Sequence, residues 1–251
     1  MDLQLSERVY LVTGGAGGLG RATAEQLVAD GARVLLTGRN EESLQRAVSE
    51  LGGNAAYQVA DNAEATAAEA LVATALARWG RLDGVLISVG GPPTGTATGT
   101  TDEQWRAAFE SVFLGAVRIA RTVAGALTEG GSITFVLSSS VKAPLAGLAI
   151  SNGLRPGLAM VAKDLAGELG PRGIRVNGLM PGRVGTDRVL SLDASSGDAA
   201  AARAAAEATI PLGRYGAPEE FGRVAAFLMS PAASFVSGAM VPVDGGMLQA
   251  L

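Results

Sequence analysis

The chain has 251 residues, 48% of them hydrophobic, a net charge of −4, and neither cysteine nor histidine. That length supports one large domain with a substantial core. The missing residue types exclude disulfides, thiol nucleophiles, Ser-His-Asp hydrolysis and most zinc sites.

Mild acidity without a basic run argues against nucleic acid or an anionic membrane surface as partner. No apolar run reaches the ~20 residues of a membrane span. The first residues, Met1-Asp2-Leu3-Gln4-Leu5-Ser6-Glu7-Arg8, lack the basic-then-apolar order of a secretory signal, so a cytoplasmic location is expected.

The run Val9-Tyr10-Leu11-Val12 reads as a strand. Thr13-Gly14-Gly15-Ala16-Gly17-Gly18-Leu19-Gly20 then turns the chain into an Ala-rich helix over residues 19–29, closed by Gly31. A strand feeding a glycine turn feeding a helix holds phosphate: backbone approaches the anion, and the helix offers free N–H groups and its positive dipole end. A strand at Arg33-Val34-Leu35-Leu36-Thr37 follows, then a helix over 41–50 stopped by Gly52-Gly53. Ala55-Ala56-Tyr57-Gln58-Val59 is a third strand, ending in Ala60-Asp61-Asn62.

A helix over 63–79 leads to a buried strand at 82–88. A Gly/Pro/Thr loop over 90–100 precedes a long helix, capped at Thr101 or Asp102 and running to Leu127. Ser132-Ile133-Thr134-Phe135-Val136-Leu137 is the fifth strand, with Ser138-Ser139-Ser140 at its end. The next helix starts near Ser151 and stops at Gly170-Pro171, and Ile174-Arg175-Val176-Asn177-Gly178-Leu179-Met180 is the sixth strand. Residues 186–210, rich in Ala, Ser and Asp, read as a helical flap, with a substrate lid and an ordinary solvated helix both open. A helix over 218–229 and a strand at Met240-Val241-Pro242-Val243 close the chain. Strands alternating with helices predict an α/β fold, a doubly wound parallel sheet in a single domain over residues 1–251.

Several motifs now stand in order: Thr13-Gly14-x-x-x-Gly18-x-Gly20, Asp61, Asn177, Pro181-Gly182-x-x-x-Thr186, Pro211-Leu212-Gly213-Arg214-x-Gly216-x-Pro218-Glu219-Glu220 and Val243-Asp244-Gly245-Gly246. With them the chain resembles the short-chain dehydrogenase/reductase family over nearly its full length. The resemblance implies a Rossmann-type fold and a nicotinamide dinucleotide held by Gly14, Gly18, Leu19 and Gly20, with Gly90 in the loop after the fourth strand. It puts Asp61 at the adenine, and Asn177, Pro181, Gly182 and Thr186 in the segment that meets the nicotinamide carboxamide. It also implies a homo-oligomer, commonly a tetramer. The second strand ends Thr37-Gly38-Arg39-Asn40 without a carboxylate, and Arg39 can pair with a 2′-phosphate. NADP(H) is therefore expected over NAD(H); a solvated surface arginine is the other reading of Arg39.

The family's chemistry uses a serine at the end of the fifth strand and a Tyr-x-x-x-Lys pair on the next helix. Counting from the serine run, Ser151 falls at the tyrosine's place and Arg155 at the lysine's. Ser138 has the spacing of the substrate-orienting serine, with Ser139 and Ser140 as alternatives. The loop usually written Asn-Asn-Ala-Gly is Ser88-Val89-Gly90-Gly91, and Val112 stands where the family has asparagine. A serine hydroxyl is a far weaker acid than a phenol, and arginine relays no proton. Arg155 can still bond the ribose or fix an oxyanion. Tyr10 and Tyr57 lie within strands; Tyr215 and Lys142 fall nearer the expected pocket, without a clear role.

Gly-Gly-Pro-Pro (Gly90 to Pro93), Ser-Val-Lys (Ser140 to Lys142) and Ser-Asn-x-x-Arg (Ser151 to Arg155) resemble a divergent, ketoacyl-carrier-protein-reductase-like branch lacking the Tyr-x-x-x-Lys pair. Halohydrin dehalogenases share the arginine but keep a tyrosine and fill the nucleotide site, unlike this chain. Two functions stay open. One is an NADP(H)-dependent oxidoreductase for a neutral or apolar carbonyl or alcohol, with Ser138, Ser151 and Arg155 as catalytic candidates, Arg155 also touching cofactor, and no metal. The other is a catalytically silent NADP(H)-binding homologue, a cofactor sensor or partner subunit.

Overall fold

Near-continuous apolar strands demand burial on both faces, which a parallel sheet between two helical layers provides. The computed structural model describes residues 2–250 and has that architecture. Its strands are β1 (Val9–Thr13), β2 (Arg33–Gly38), β3 (Ala55–Val59), β4 (Gly84–Ile87), β5 (Ser132–Val136), β6 (Arg175–Pro181) and β7 (Met240–Val243). They form one sheet in the order β3-β2-β1-β4-β5-β6-β7, every pair parallel. Tyr10 of β1 pairs with Val34 on one side and Gly84 on the other.

The period of two along each strand divides the core. Val9 and Leu11 face one layer, built by α3 (Ala67–Trp79), α5 (Gly115–Ala126) and α6 (Ala149–Leu169) through Leu71, Ile119 and Leu158. Tyr10 and Val12 face the other, built by α1 (Gly18–Ala29), α2 (Glu41–Leu51) and α9 (Pro218–Met229) through Leu27, Leu44 and Phe221. Buried Arg175 on β6 donates to the Leu228 and Ser230 carbonyls at 2.7 and 2.9 Å. It thereby satisfies orphan acceptors at the C-terminal end of α9.

The element order follows the sequence reading, with three corrections. The long helix expected up to Leu127 is α4 (Asp102–Ala108), a π-helical segment Phe109–Leu114, then α5. A π turn inserts a single residue, so the apolar period that suggested one helix survives across it. The third helix starts at Ala67 rather than residue 63, because the Asp61 carboxylate accepts from Ala63 N–H at 2.9 Å and holds a turn there. The flap is two helices, α7 (Asp187–Ala194) and α8 (Ala199–Glu207), with Asp198 capping the second by accepting from Ala201 N–H at 3.0 Å.

Candidate functional site

The site begins where β1 and β4 end side by side. Thr13 Oγ1 donates to the Ser88 carbonyl at 2.9 Å and accepts from Ser88 N–H at 2.8 Å, tying the two strand ends together. The chain then turns so tightly that a Cβ on Gly14 would lie 2.6 Å from the Ser88 carbonyl oxygen, and one on Gly20 would lie 2.4 Å from that of Gly14. Neither position accepts a side chain. Gly14 and Gly18 are exposed, Leu19 half-buried and Gly20 buried at the start of α1. This is a cradle of bare backbone opening onto a helix N-terminus, the arrangement that fits a diphosphate.

The other predicted cofactor positions surround the same end of the sheet. Arg39 is exposed immediately after β2, and Asn40 beside it caps α2 by accepting from Ser43 N–H at 2.8 Å. Asp61 is half-buried after β3, and Gly90 is exposed after β4 with open space where a Cβ would sit. Pro181 ends β6, Gly182 N–H donates to the Val243 carbonyl at 3.0 Å, and Thr186 begins the flap with its methyl group near Gly18. Asn177 is fully buried and committed elsewhere. Its side chain donates to the Val236 carbonyl at 2.8 Å and accepts from Ala239 N–H at 3.0 Å, which fixes the approach to β7.

The serine run divides its labour. Ser138 is half-buried at the end of β5, and its Oγ accepts from Ser140 N–H at 3.1 Å while keeping its own proton to donate. Ser139 is buried. Buried Ser140 turns towards α6, its Oγ 3.1 Å from that of Ser151. Arg155 lies one turn beyond Ser151 on the same helix face. It is only 4% exposed, donates from Nη1 to the Val136 carbonyl, and its Nε has no partner. Burial alone pulls this guanidinium down to about 10. Val112, in the π-helical segment, is buried.

The remaining candidates separate clearly. Tyr10 donates to the Met229 carbonyl from the core, where burial raises its phenol. Tyr57 donates to Glu41 at the edge of the sheet. Tyr215 is buried, donates to Asp193 Oδ2 at 2.9 Å and has the Arg203 guanidinium 4.8 Å above its ring. Burial raises its phenol and the Asp193 carboxylate adds to the shift. Arg183 donates to the other Asp193 oxygen at 3.2 Å. Tyr215 thus latches both flap helices to the segment before α9, and Arg183 ties the first of them to the segment after β6. The sequence reading missed Asp193 and Arg188; an aspartate in an alanine-rich helix and a flanking arginine carry no pattern that marks them.

Strand order and glycine cradle together define a Rossmann-type α/β protein. Residues 14–248 match the family model described as Enoyl-(Acyl carrier protein) reductase. The 2,5-dichloro-2,5-cyclohexadiene-1,4-diol dehydrogenase of Sphingobium indicum is 32% identical over 246 residues, covering 96% of this chain and 97% of its own. L-sorbose reductase from Gluconobacter frateurii, solved with NADPH and L-sorbose, superposes with a TM-score of 0.93 at 29% identity over all of both chains. A short-chain dehydrogenase/reductase from Brucella melitensis does so at 0.93 and 31%, again over both whole chains. The chain belongs to the short-chain dehydrogenase/reductase family.

Proposed function

We propose that the protein is an NADP(H)-dependent oxidoreductase that interconverts a small carbonyl compound and its alcohol through a site without the family's tyrosine. The observation that carries the reading is the side-chain-free cradle of Gly14, Gly18 and Gly20 at the start of α1. Arg39 after β2, with no carboxylate at that strand end, supports the 2′-phosphorylated cofactor. The sorbose reductase neighbour carries NADPH in its own structure, which agrees.

When bound, the dinucleotide supplies or accepts the hydride. The chain's own residues orient and polarise the substrate oxygen. Ser138 Oγ, already accepting the Ser140 N–H, is polarised to donate its proton in a hydrogen bond to that oxygen. Arg155 adds fixed positive charge one helical turn from Ser151, which favours the developing alkoxide. Water provides the proton that a tyrosine would otherwise pass, so turnover is slow. The resemblance adds a cytoplasmic homotetramer, and exposed Met160 and Phe235 supply apolar surface for assembly; sedimentation of the purified chain tests it.

A second reading, a catalytically silent NADP(H)-binding homologue, is favoured by one observation. Ser151 and Arg155 are both buried, and the Ser151 hydroxyl is engaged with Ser140. A panel of aldehydes and ketones with NADPH separates the two. The oxidoreductase reading expects slow consumption above background, lowered about 100-fold by Ser138→Ala, as for loss of an oxyanion donor. Binding without consumption of any substrate favours the silent homologue.

A further inference from the structure

The strand order reverses between β1 and β4, so the glycine turn and the loop after β4 form facing walls at the carboxyl end of the sheet. Open α/β sheets take their ligands in the crevice at such a reversal. The root of the flap bridges these walls. The Thr186 methyl lies 3.6 Å from where a Cβ on Gly18 would be. Two residues on, Arg188 reaches the opposite wall and donates from Nη2 to the Pro92 carbonyl at 2.7 Å. Its guanidinium passes so close over Gly91 that a Cβ there would lie 3.1 Å from Nε.

Of the arginines around the crevice, Arg39 and Arg188 carry no ion pair among the described residues, and Arg188 is the one that belongs to the flap. A cleft of about 180 Å³ between the glycine turn and the flap root is lined by Gly18, Arg21, Glu25, Thr186 and Asp187, among others. Arg21 is already committed to Glu25, Glu50 and the Ala47 carbonyl. Glu25 and Asp187 leave the cleft without surplus positive charge. Among the described residues Arg188 has no carboxylate partner, and its hydrogen bond goes to a neutral carbonyl. A phosphate oxygen pair is the stronger acceptor for a guanidinium, because the bonds become charge-assisted and bidentate.

We propose that Arg188 is a strap for the diphosphate of the bound dinucleotide. Its guanidinium exchanges the Pro92 carbonyl for diphosphate oxygens and thereby holds α7 over the groove. The inference rests on the dinucleotide reading given under the proposed function. It assigns to a flap arginine a binding role that the glycine turn alone does not fill.

The test titrates NADPH calorimetrically into the wild-type chain, Arg188→Met and Arg188→Lys across a potassium chloride series, with amide hydrogen exchange read on α7. Arg188→Met is expected to weaken NADPH about tenfold and to flatten the salt dependence. Arg188→Lys falls between, since it keeps the charge and loses the planar fork. NADPH slows exchange in α7 of the wild type and not of Arg188→Met. Wild-type affinity in Arg188→Met, or a weakened affinity with unchanged salt dependence and unchanged α7 protection, overturns the strap alone. A wild-type chain that binds neither NADPH nor NADH overturns the cofactor reading and the strap together. Circular dichroism confirms folding, and Arg188→Lys carries the test if the methionine variant does not fold.

Discussion

A guanidinium buried without a carboxylate weakens the native state, and Arg155 is in that position. Burial pulls its pKa down from the ordinary arginine value to about 10. Above about pH 10 and below an unfolded arginine's ordinary value, the unfolded chain keeps the proton and the native chain loses it, so stability rises as pH climbs through that window. Below pH 10 the penalty is present in full. Arg155→Met removes the charge at similar volume. We expect it to stabilise the dinucleotide-free protein at pH 7 by about 1–3 kcal/mol in urea denaturation, while weakening NADPH binding. A methionine variant of equal or lower stability would show that the single bond to the Val136 carbonyl outweighs desolvation. Spacing in the serine run singles out Ser138 and leaves Ser139 and Ser140 open. The division between Ser138, half-buried at the strand end, and Ser140, turned towards Ser151, depends on rotamers and a short turn, which no sequence period encodes.

Elements obey more local rules, and two contacts are open to test. Glu220 accepts two hydrogen bonds from Arg214, at 2.7 and 2.8 Å, and one from Ala217 N–H at 2.7 Å, fixing the N-terminus of α9. The Arg214 bonds come first and the Ala217 amide second in holding its carboxyl down at about 2. A depressed carboxylate stabilises above its unfolded pKa and loses that contribution as pH falls towards the folded value. The urea midpoints of wild type and Glu220→Gln are therefore expected to differ at pH 7 and to converge between about pH 4.5 and 2. Tyr215→Phe leaves a buried Asp193 oxygen without its donor. We expect a loss of about 1–3 kcal/mol, with faster amide exchange in α7 and α8; unchanged exchange would remove the latch role. Strands and the α9 boundaries were legible because apolar runs, Pro218 and glycine stops write them directly. The π-helical segment was not, since it inserts only a single residue and the apolar period carries on across it. The latch was not either, because it joins residues far apart through geometry alone.

At the scale of the whole molecule, binding and reaction separate. The backbone cradle and the flap root lie together at the strand-order reversal, whereas beyond the end of β5 Ser140, Ser151 and Arg155 are buried and only Ser138 is half-open. A ligand that binds only the folded state stabilises it by mass action, about 2.7 kcal/mol at a free concentration one hundred times its Kd. For a chain of this size each kcal/mol moves the melting temperature by roughly 2–4 °C. NADPH at that excess is therefore expected to raise it by roughly 5–10 °C, and NADH at the same concentration by less, because Arg39 meets no 2′-phosphate. Equal shifts would remove Arg39 from cofactor choice. A shift from neither would refute the groove as a dinucleotide site, however well its backbone fits. The same titration repeated on Ser151→Tyr with Arg155→Lys asks whether only the proton relay is missing. Unchanged NADPH affinity with ketone reduction faster than the slow wild-type turnover is the expected result. Unchanged affinity without faster reduction would mean that the walls of the pocket, and not the relay alone, have moved away from the family's chemistry.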